Sequence, residues 1–304
     1  MDKAKALYAL GKLLNPALGR VIERGERGQE LEEWGLRPHR PDPGTPMAMD
    51  DEDGWAATIP DGLAGTVMYP IMNATDVLAS VNVVLSAAAK TAPFRHHTPS
   101  FLASCRTAFE SSAQAIWVLS SDNRDVRRAR AAGLALVGVE HARDYHSEAI
   151  KAHDNKLYLL PDETYKSSQR RLGFHQEEVD RLTALPHENG RSYKDLVRKS
   201  ANWLQDNPPI HTTDIDGKHF PTILKQEYRV CSSFTHGHAW PIHLVDGPSE
   251  MFAMMADAIM SAVISTECAV ALYEAHATDP AVTRTHEYPE RLQPSIDGWR
   301  NKFV

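Results

Sequence analysis

Hydrophobic residues recur along most of the chain at the intervals of helices that bury one face. Between residues 64 and 90, Val67, Ile71, Leu78 and Leu85 are separated by four or seven positions. Such intervals place side chains on one side of an α-helix. Alternation with a period of two, which is typical of strands, is nearly absent. The pattern therefore predicts an all-α fold.

Eight helices are predicted, and capping residues mark several of their ends. Thr98 followed by Pro99 favours a helix start, because Thr can cap and Pro is preset for the first turn. Ser192 with Asp195 approximates a capping box, and Gly237 is typical of a C-terminal cap. The predicted ranges are 2–25, 64–90, 98–119, 123–152, 162–184, 192–206, 220–236 and 249–277.

The segment 26–62 interrupts this pattern. It carries prolines at 38, 41, 43 and 46, followed by an acidic run, and this proline density argues against any helix there. The predicted fold is a helical bundle with a long irregular N-terminal segment. Its predicted parts are an N-terminal helix and irregular arm over 1–63, a bundle domain over 64–277, and a C-terminal tail over 278–304 with little regular structure.

Composition narrows the class of protein without identifying it. The chain has 304 residues, 24% of them charged, and a net charge of −7, which argues against a broad nucleic-acid-binding surface but not against a local basic patch. Its three cysteines are far apart, as expected for reduced thiols in the cytoplasm. No apolar run reaches the ~18 residues of a membrane span, so no membrane association is expected. Nucleotide-binding glycine motifs are also missing, and no cofactor is predicted.

The segment YRVCSSFTHGHAW, residues 228–240, carries the most informative polar pattern. On a helix, seven residues make about two turns, so Arg229 and His236 share a face with Ser232 and Ser233 between them. A cation, two hydroxyls and an imidazole on one edge could bind a phosphate and move a proton. The alternative is a solvated helix face, with His236 bonding carbonyl groups at the helix end.

At this segment the sequence resembles a known family. Arg229, six intervening residues and His236 are similar to the Arg-x4–6-His signature of HEPN proteins. The layout also resembles a bacterial helical family of unknown function. The matching residues are Arg106, Glu110, Trp117 and Leu119 on an early helix, and Ser232, Ser233, His236 and Gly237 late in the chain. One position departs from the pattern, because Val230 follows the Arg where active HEPN ribonucleases usually carry a polar residue.

The resemblance implies a function and a set of roles. HEPN proteins are all-helical and often dimeric, and many are metal-independent ribonucleases of toxin–antitoxin or defence systems. His236 would act as general base or acid at a ribose 2′-hydroxyl, and Arg229 would stabilise the phosphate charge. Ser232, Ser233 and His238 would support them, as would Arg106 with Glu110, one turn apart; the alternative for this last pair is an ordinary helix ion pair.

The same resemblance sets expectations about partners. RNA is the expected substrate, and a homodimer would bring two copies of the motif into one cleft. An antitoxin or other protein partner is expected as well. The alternative function is a non-catalytic helical module that binds a protein or a small ligand through the same polar groove.

Two further clusters suggest other chemistry. A metal site is one hypothesis for His236, His238 and His243, and for His141 and His146 with Glu140 and Asp144. Neither set has a recognised ligand spacing, so free surface histidines are the preferred interpretation and no metal is predicted. Arg124, Arg127, Arg128 and Arg130 form a basic run at a helix start, which would contact RNA phosphates or an acidic partner, or simply be solvated.

Overall fold

The computed structural model describes residues 15–88 and 98–303, and within these ranges it contains helices and no strand. The all-α prediction is therefore confirmed. The helices are α1 (Pro16–Gln29), α2 (Glu32–Leu36), α3 (Pro46–Asp50), α4 (Gly62–Ala88), α5 (Thr98–Leu119), α6 (Arg124–Asp154), α7 (Asp162–Thr183), α8 (Tyr193–Asp206), α9 (Phe220–Thr235), α10 (Pro248–Ala277) and α11 (Gln293–Arg300).

Helix α10 lies at the centre of the bundle. Every residue from 261 to 277 is buried, and the helix packs against α1, α4 and α5. Helix α5 in turn packs against α8 and α9, while α6 and α7 lie side by side as a hairpin. Burial of apolar surface on this scale is the main favourable contribution to folding. The pair α8–α9, held on α5, positions the candidate site.

The proline-rich segment is more ordered than the sequence predicts. Thr45 caps α3 by accepting a hydrogen bond from the backbone N–H of Ala48, and Pro46 occupies the first turn. The prediction that no helix forms there was wrong, because a proline at the first helical position leaves no hydrogen bond unmade. Trp34 and Met47 are both buried, so this segment packs on the bundle as part of one core.

The C-terminal prediction also needs correction. Residues 278–304 were expected to have little regular structure, yet α11 forms within them and buries Ile296 and Trp299. The Trp299 ring lies 5.3 Å from that of Trp203. At the other end, residues 2–14 of the predicted helix 2–25 lie outside the described residues, and α1 continues to Gln29.

The basic run at the start of α6 holds the N-terminal segment. Arg127 is buried and donates two hydrogen bonds to the Asp50 carboxylate, at 2.6 and 2.7 Å. Arg128 Nε donates to the Asp50 carbonyl at 2.8 Å, and Arg130 donates to the Trp117 carbonyl at 2.7 Å. The alternative of a merely solvated face was wrong for these three residues, because each donates hydrogen bonds to groups within the protein.

Among the residues that the structure describes, two helices have the length and composition of a membrane span. The most apolar 18-residue windows of α4 and α10 have mean hydropathies of 1.4 and 1.5, and 50% and 89% of these windows are buried in the protein. For α10, the apolar residues form the core of the bundle. A buried core helix and a membrane span meet the same criterion, so composition alone does not separate them.

Candidate active site: a basic groove along α9

A groove of about 630 Å³ runs between α8 and α9 and under the turn that follows α9. Four of its lining side chains are cationic, namely Lys194, Arg198, Lys225 and Arg229. Among the described residues that line it, Asp195 is the one carboxylate. Its Oδ1 atom lies 3.6 Å from Arg198 Nη2. A cationic groove on a chain of net charge −7 is a local site for an anionic ligand.

The end of α9 places His236 at the mouth of this groove. Gly237 has a φ of +69°, which glycine adopts without steric penalty. Its N–H donates to the Phe234 carbonyl at 3.2 Å, and the N–H of His238 donates to the Ser233 carbonyl at 2.9 Å. This is a Schellman cap, so the predicted glycine termination is confirmed. His236 is the capping residue, and its side chain is exposed.

Arg229 lies on the groove-facing side of α9. Its side chain is exposed and makes no hydrogen bond or ion pair with any residue that the structure describes. Ser232, one turn further along, also lines the groove. Val230 is buried and therefore contributes to the core, so the departure from the HEPN pattern puts no apolar side chain into the groove.

Arg106 on α5 contacts the imidazole of His236. The Arg106 Nη1 atom lies 2.9 Å from His236 Nε2. Because a guanidinium only donates, Nε2 is the acceptor and the ring proton resides on Nδ1. The two residues are 130 positions apart in the chain, so the spacing within residues 228–240 could not predict this contact.

Glu110 orients Arg106 and does not touch the imidazole itself. Its Oε1 accepts hydrogen bonds from Arg106 Nε and from the Tyr228 hydroxyl, each at 2.8 Å. The Arg106 and Glu110 side chains are only 19% and 16% exposed, so the pair is more than a solvated helix ion pair. Burial and the Glu110 carboxylate raise the pKa of Tyr228 to about 12, which keeps its hydroxyl a donor.

The turn after α9 adds two further rings to the groove. The His238 and His236 rings lie 6.2 Å apart. Trp240 begins a short 3-10 helix, Trp240–Leu244, and its indole N–H donates to the Ser233 hydroxyl at 2.8 Å. Ser233 thus holds the indole in place. Trp240 is a residue of this groove that the sequence analysis did not predict. Its place directly after the His-rich turn was the one sequence signal that pointed to it.

The histidine clusters do not assemble into a metal centre. Within the described residues, no group of three His, Cys, Asp or Glu side chains is placed to hold a metal ion. His146 instead stacks on His175, with ring centroids 5.8 Å apart, and the metal hypothesis for His141 and His146 gains no support.

The groove can thus hold an anion on Arg229 and its neighbouring cations, beside an imidazole that Arg106 keeps in one tautomer. These groups match the needs of phosphate chemistry, namely charge stabilisation and proton transfer. Comparison of the chain with protein-family models, with curated proteins and with solved structures finds no match.

Proposed function

We propose that the protein is a HEPN-like, metal-independent ribonuclease whose reaction takes place in the basic groove. The observation that carries the proposal is the joint placement of Arg229 and His236 in that groove, with Arg229 unpaired among the described residues. Lys194, Arg198 and Lys225 add the positive charge that an RNA backbone requires.

The proposed reaction uses the ribose 2′-hydroxyl as nucleophile. Its oxygen forms a bond to the adjacent phosphorus, the bond from phosphorus to the 5′-oxygen breaks, and the products are a 2′,3′-cyclic phosphate and a 5′-hydroxyl. His236 accepts the proton of the 2′-hydroxyl, and the resulting imidazolium returns a proton to the leaving oxygen. Arg229 stabilises the charge that develops on the phosphate.

Arg106 must move for this step to occur. While Arg106 donates to Nε2, that nitrogen cannot accept a proton from the substrate. We propose that the bound phosphate attracts the Arg106 guanidinium away from Nε2, which frees the base and adds a second cation to the phosphate. Glu110 and Tyr228 keep Arg106 near the groove during this exchange.

The test is incubation of the purified protein with a random-sequence RNA pool in EDTA, beside His236→Ala and Arg229→Ala. We expect cleavage by the wild type and a loss of about 10²- to 10⁴-fold in rate for His236→Ala, the usual contribution of general acid–base catalysis. Matched controls are His187→Ala and Arg170→Ala, which alter exposed residues outside the groove and should keep full activity. Cleavage that needs added metal, or that survives His236→Ala, contradicts the proposal.

The biological part of the proposal is a toxin or defence effector that acts as a homodimer in the cytoplasm. Induced expression of the wild type should arrest growth, and co-expression of an antitoxin should relieve the arrest. His236→Ala should be harmless at equal abundance. Sedimentation equilibrium should give twice the chain mass.

A second candidate function is non-catalytic binding of an anionic ligand in the same groove. The observation that favours it is the engaged Nε2 atom, because Arg106 makes His236 a fixed part of the groove wall. In that case the wild type binds RNA or another polyanion without cleaving it, and His236→Ala retains the binding.

A further inference from the structure

Trp240 is exposed to a degree that its packing does not require. Its side chain is 45% exposed, although its indole N–H is fixed on the Ser233 hydroxyl. A tryptophan that serves the core buries most of its ring. This ring is instead held in one orientation at the edge of the groove, which is the arrangement of a binding surface.

The indole lies close to the proposed reaction centre. Ser233 is four residues, about 6 Å, along α9 from Arg229, and its hydroxyl accepts the hydrogen bond of the Trp240 indole. Ile242 and Leu244 on the same 3-10 turn are also exposed, but they do not line the groove. Trp240 is thus the apolar side chain of this turn that lines the groove together with the cations.

An anchored aromatic ring in the same groove as four cationic side chains matches the chemistry of an unpaired nucleotide. The cations track the phosphates while the ring stacks on a base, and any base suffices because every base has a π-face. In a duplex, each base is already stacked on its neighbours and offers no face to a side chain. The combination therefore favours single strands over duplexes.

We infer that Trp240 stacks on an unpaired base next to the phosphate held by Arg229, so that the groove selects unpaired segments of RNA. The inference rests on the proposed function for the identity of the polymer. From the position of the ring we expect the base beside the scissile bond to be separated from its neighbouring bases and to stack on Trp240. Ser233 acts as a positioning residue, since its hydroxyl accepts the hydrogen bond of the indole N–H.

The test measures binding, so that it is independent of cleavage. A fluorescein-labelled single-stranded RNA and the same RNA in a duplex are titrated with the His236→Ala protein and with that protein carrying Trp240→Ala or Trp240→Phe. We expect Trp240→Ala to weaken single-strand binding by roughly 5- to 150-fold, the range of a lost base–aromatic stack. Trp240→Phe should stay within about threefold, because a phenyl ring still stacks.

Two controls separate stacking from general damage. Tyr158→Ala removes an exposed aromatic ring from the loop between α6 and α7 and should leave binding unchanged. The wild type with 2′-O-methyl RNA, which lacks the nucleophile, repeats the measurement without any change at His236. Ser233→Ala should weaken binding less than Trp240→Ala does, because the ring is freed rather than removed.

The outcomes distinguish the proposed ribonuclease function from the inference that Trp240 stacks on an unpaired base. Trp240-dependent binding of single strands, with no cleavage by the wild type, overturns the ribonuclease and leaves the base-stacking inference standing. Cleavage with Trp240-independent binding, or equal affinity for the duplex, overturns the inference alone. If neither RNA binds, the inference is also overturned.

Discussion

Two regions of this molecule both contain arginine, histidine and carboxylate side chains, but the side chains have different roles in each. In the core, the Glu267 carboxylate is fully buried and accepts hydrogen bonds from Arg27 and Arg291, while His211 Nε2 lies 3.3 Å away. In the groove, Arg229 has no partner among the described residues and the cations outnumber the acids. The residue types do not separate these regions, but the balance of charge and the burial do.

The electrostatics of the core cluster are those of a structural network. Burial alone would raise the pKa of Glu267, but His211 and Arg27 outweigh it and lower that pKa to about 2. The cluster joins α1 and α10 to the segments that carry His211 and Arg291. A buried charge that is this fully paired has nothing left with which to bind a ligand, whereas the open groove has unpaired cations and space.

The largest expected effect in this comparison is the loss of the core carboxylate. Glu267→Gln keeps the size of the side chain but leaves Arg27 and Arg291 without its charge, so we expect a loss of about 3–5 kcal/mol in the free energy of unfolding. Urea denaturation measures it. The matched control is Glu177→Gln, which alters an exposed carboxylate on α7 and should change stability by less than about 0.5 kcal/mol. Equal values for the two variants would show that the cluster is not structural.

The second prediction concerns a buried histidine that lacks a carboxylate. His276 lies wholly in the core with its Nε2 3.0 Å from the Leu119 carbonyl, and burial, together with the charge of Arg127, lowers its pKa to about 3. Below the ordinary value of 6.5, the unfolded chain binds a proton that the folded chain does not. The free energy of unfolding should therefore decrease by about 1.4 kcal/mol for each pH unit as the pH is lowered from 6.5 to 3.

The measurement for His276 is a difference between two proteins. Burial and the Asp257 carboxylate raise the pKa of Glu227 to about 7, so Glu227 stabilises the fold as pH falls from 7 and opposes the histidine in the wild type. At each pH, the unfolding free energy of His276→Gln is subtracted from that of the wild type. This difference cancels the contribution of Glu227, which is the same in both proteins. The difference should be flat above pH 6.5 and should decline below it, and a flat difference down to pH 4 would contradict the assignment.

The third prediction concerns the groove charges, with RNA affinity as readout. Lys225→Ala removes one exposed cation of the groove and should weaken single-stranded RNA binding several-fold at low salt. The slope of log affinity against log salt should become shallower by about 0.7. Lys151→Ala, an exposed cation at the far end of α6, is the control. An unchanged slope for Lys225→Ala would mean that RNA does not lie in the groove.

The smallest expected effect is on stability at the reaction centre. Arg229→Ala should change the free energy of unfolding by less than about 0.5 kcal/mol, because the side chain is exposed and makes no contact that folding needs. The same denaturation series that reports on Glu267→Gln measures it. A loss above 2 kcal/mol would make Arg229 a structural residue and remove the contrast between the two regions.

The sequence predicts those parts of the fold that depend on local rules. The long helices follow from the spacing of apolar residues, and the end of α9 follows from Gly237. Thr45 and Pro46 obey the same rule that predicts the start of α5 at Thr98 and Pro99, so the helix in the proline-rich segment could have been predicted. The position of a proline, more than the density of prolines in a segment, decides whether it ends a helix or starts one.

Long-range pairing is what the sequence cannot show. Arg127 meets Asp50 across 77 positions, and Arg106 meets His236 across 130. Such contacts depend on how the helices pack. From the sequence alone, a local run of arginines is therefore interpreted as a surface patch. The candidate residues Arg229 and His236 were predicted from local spacing, whereas the tautomer of His236 and the contribution of Trp240 follow from the three-dimensional arrangement.

The most direct test of the central claim asks whether the substrate supplies the nucleophile. The wild type is incubated in EDTA with a single-stranded RNA pool and with the same pool bearing a methyl group on every 2′-oxygen, and the ends of any products are identified. The account predicts cleavage of the unmodified RNA to 2′,3′-cyclic phosphate ends and no cleavage of the methylated RNA. Intact RNA in both samples, or cleavage of both, would contradict it.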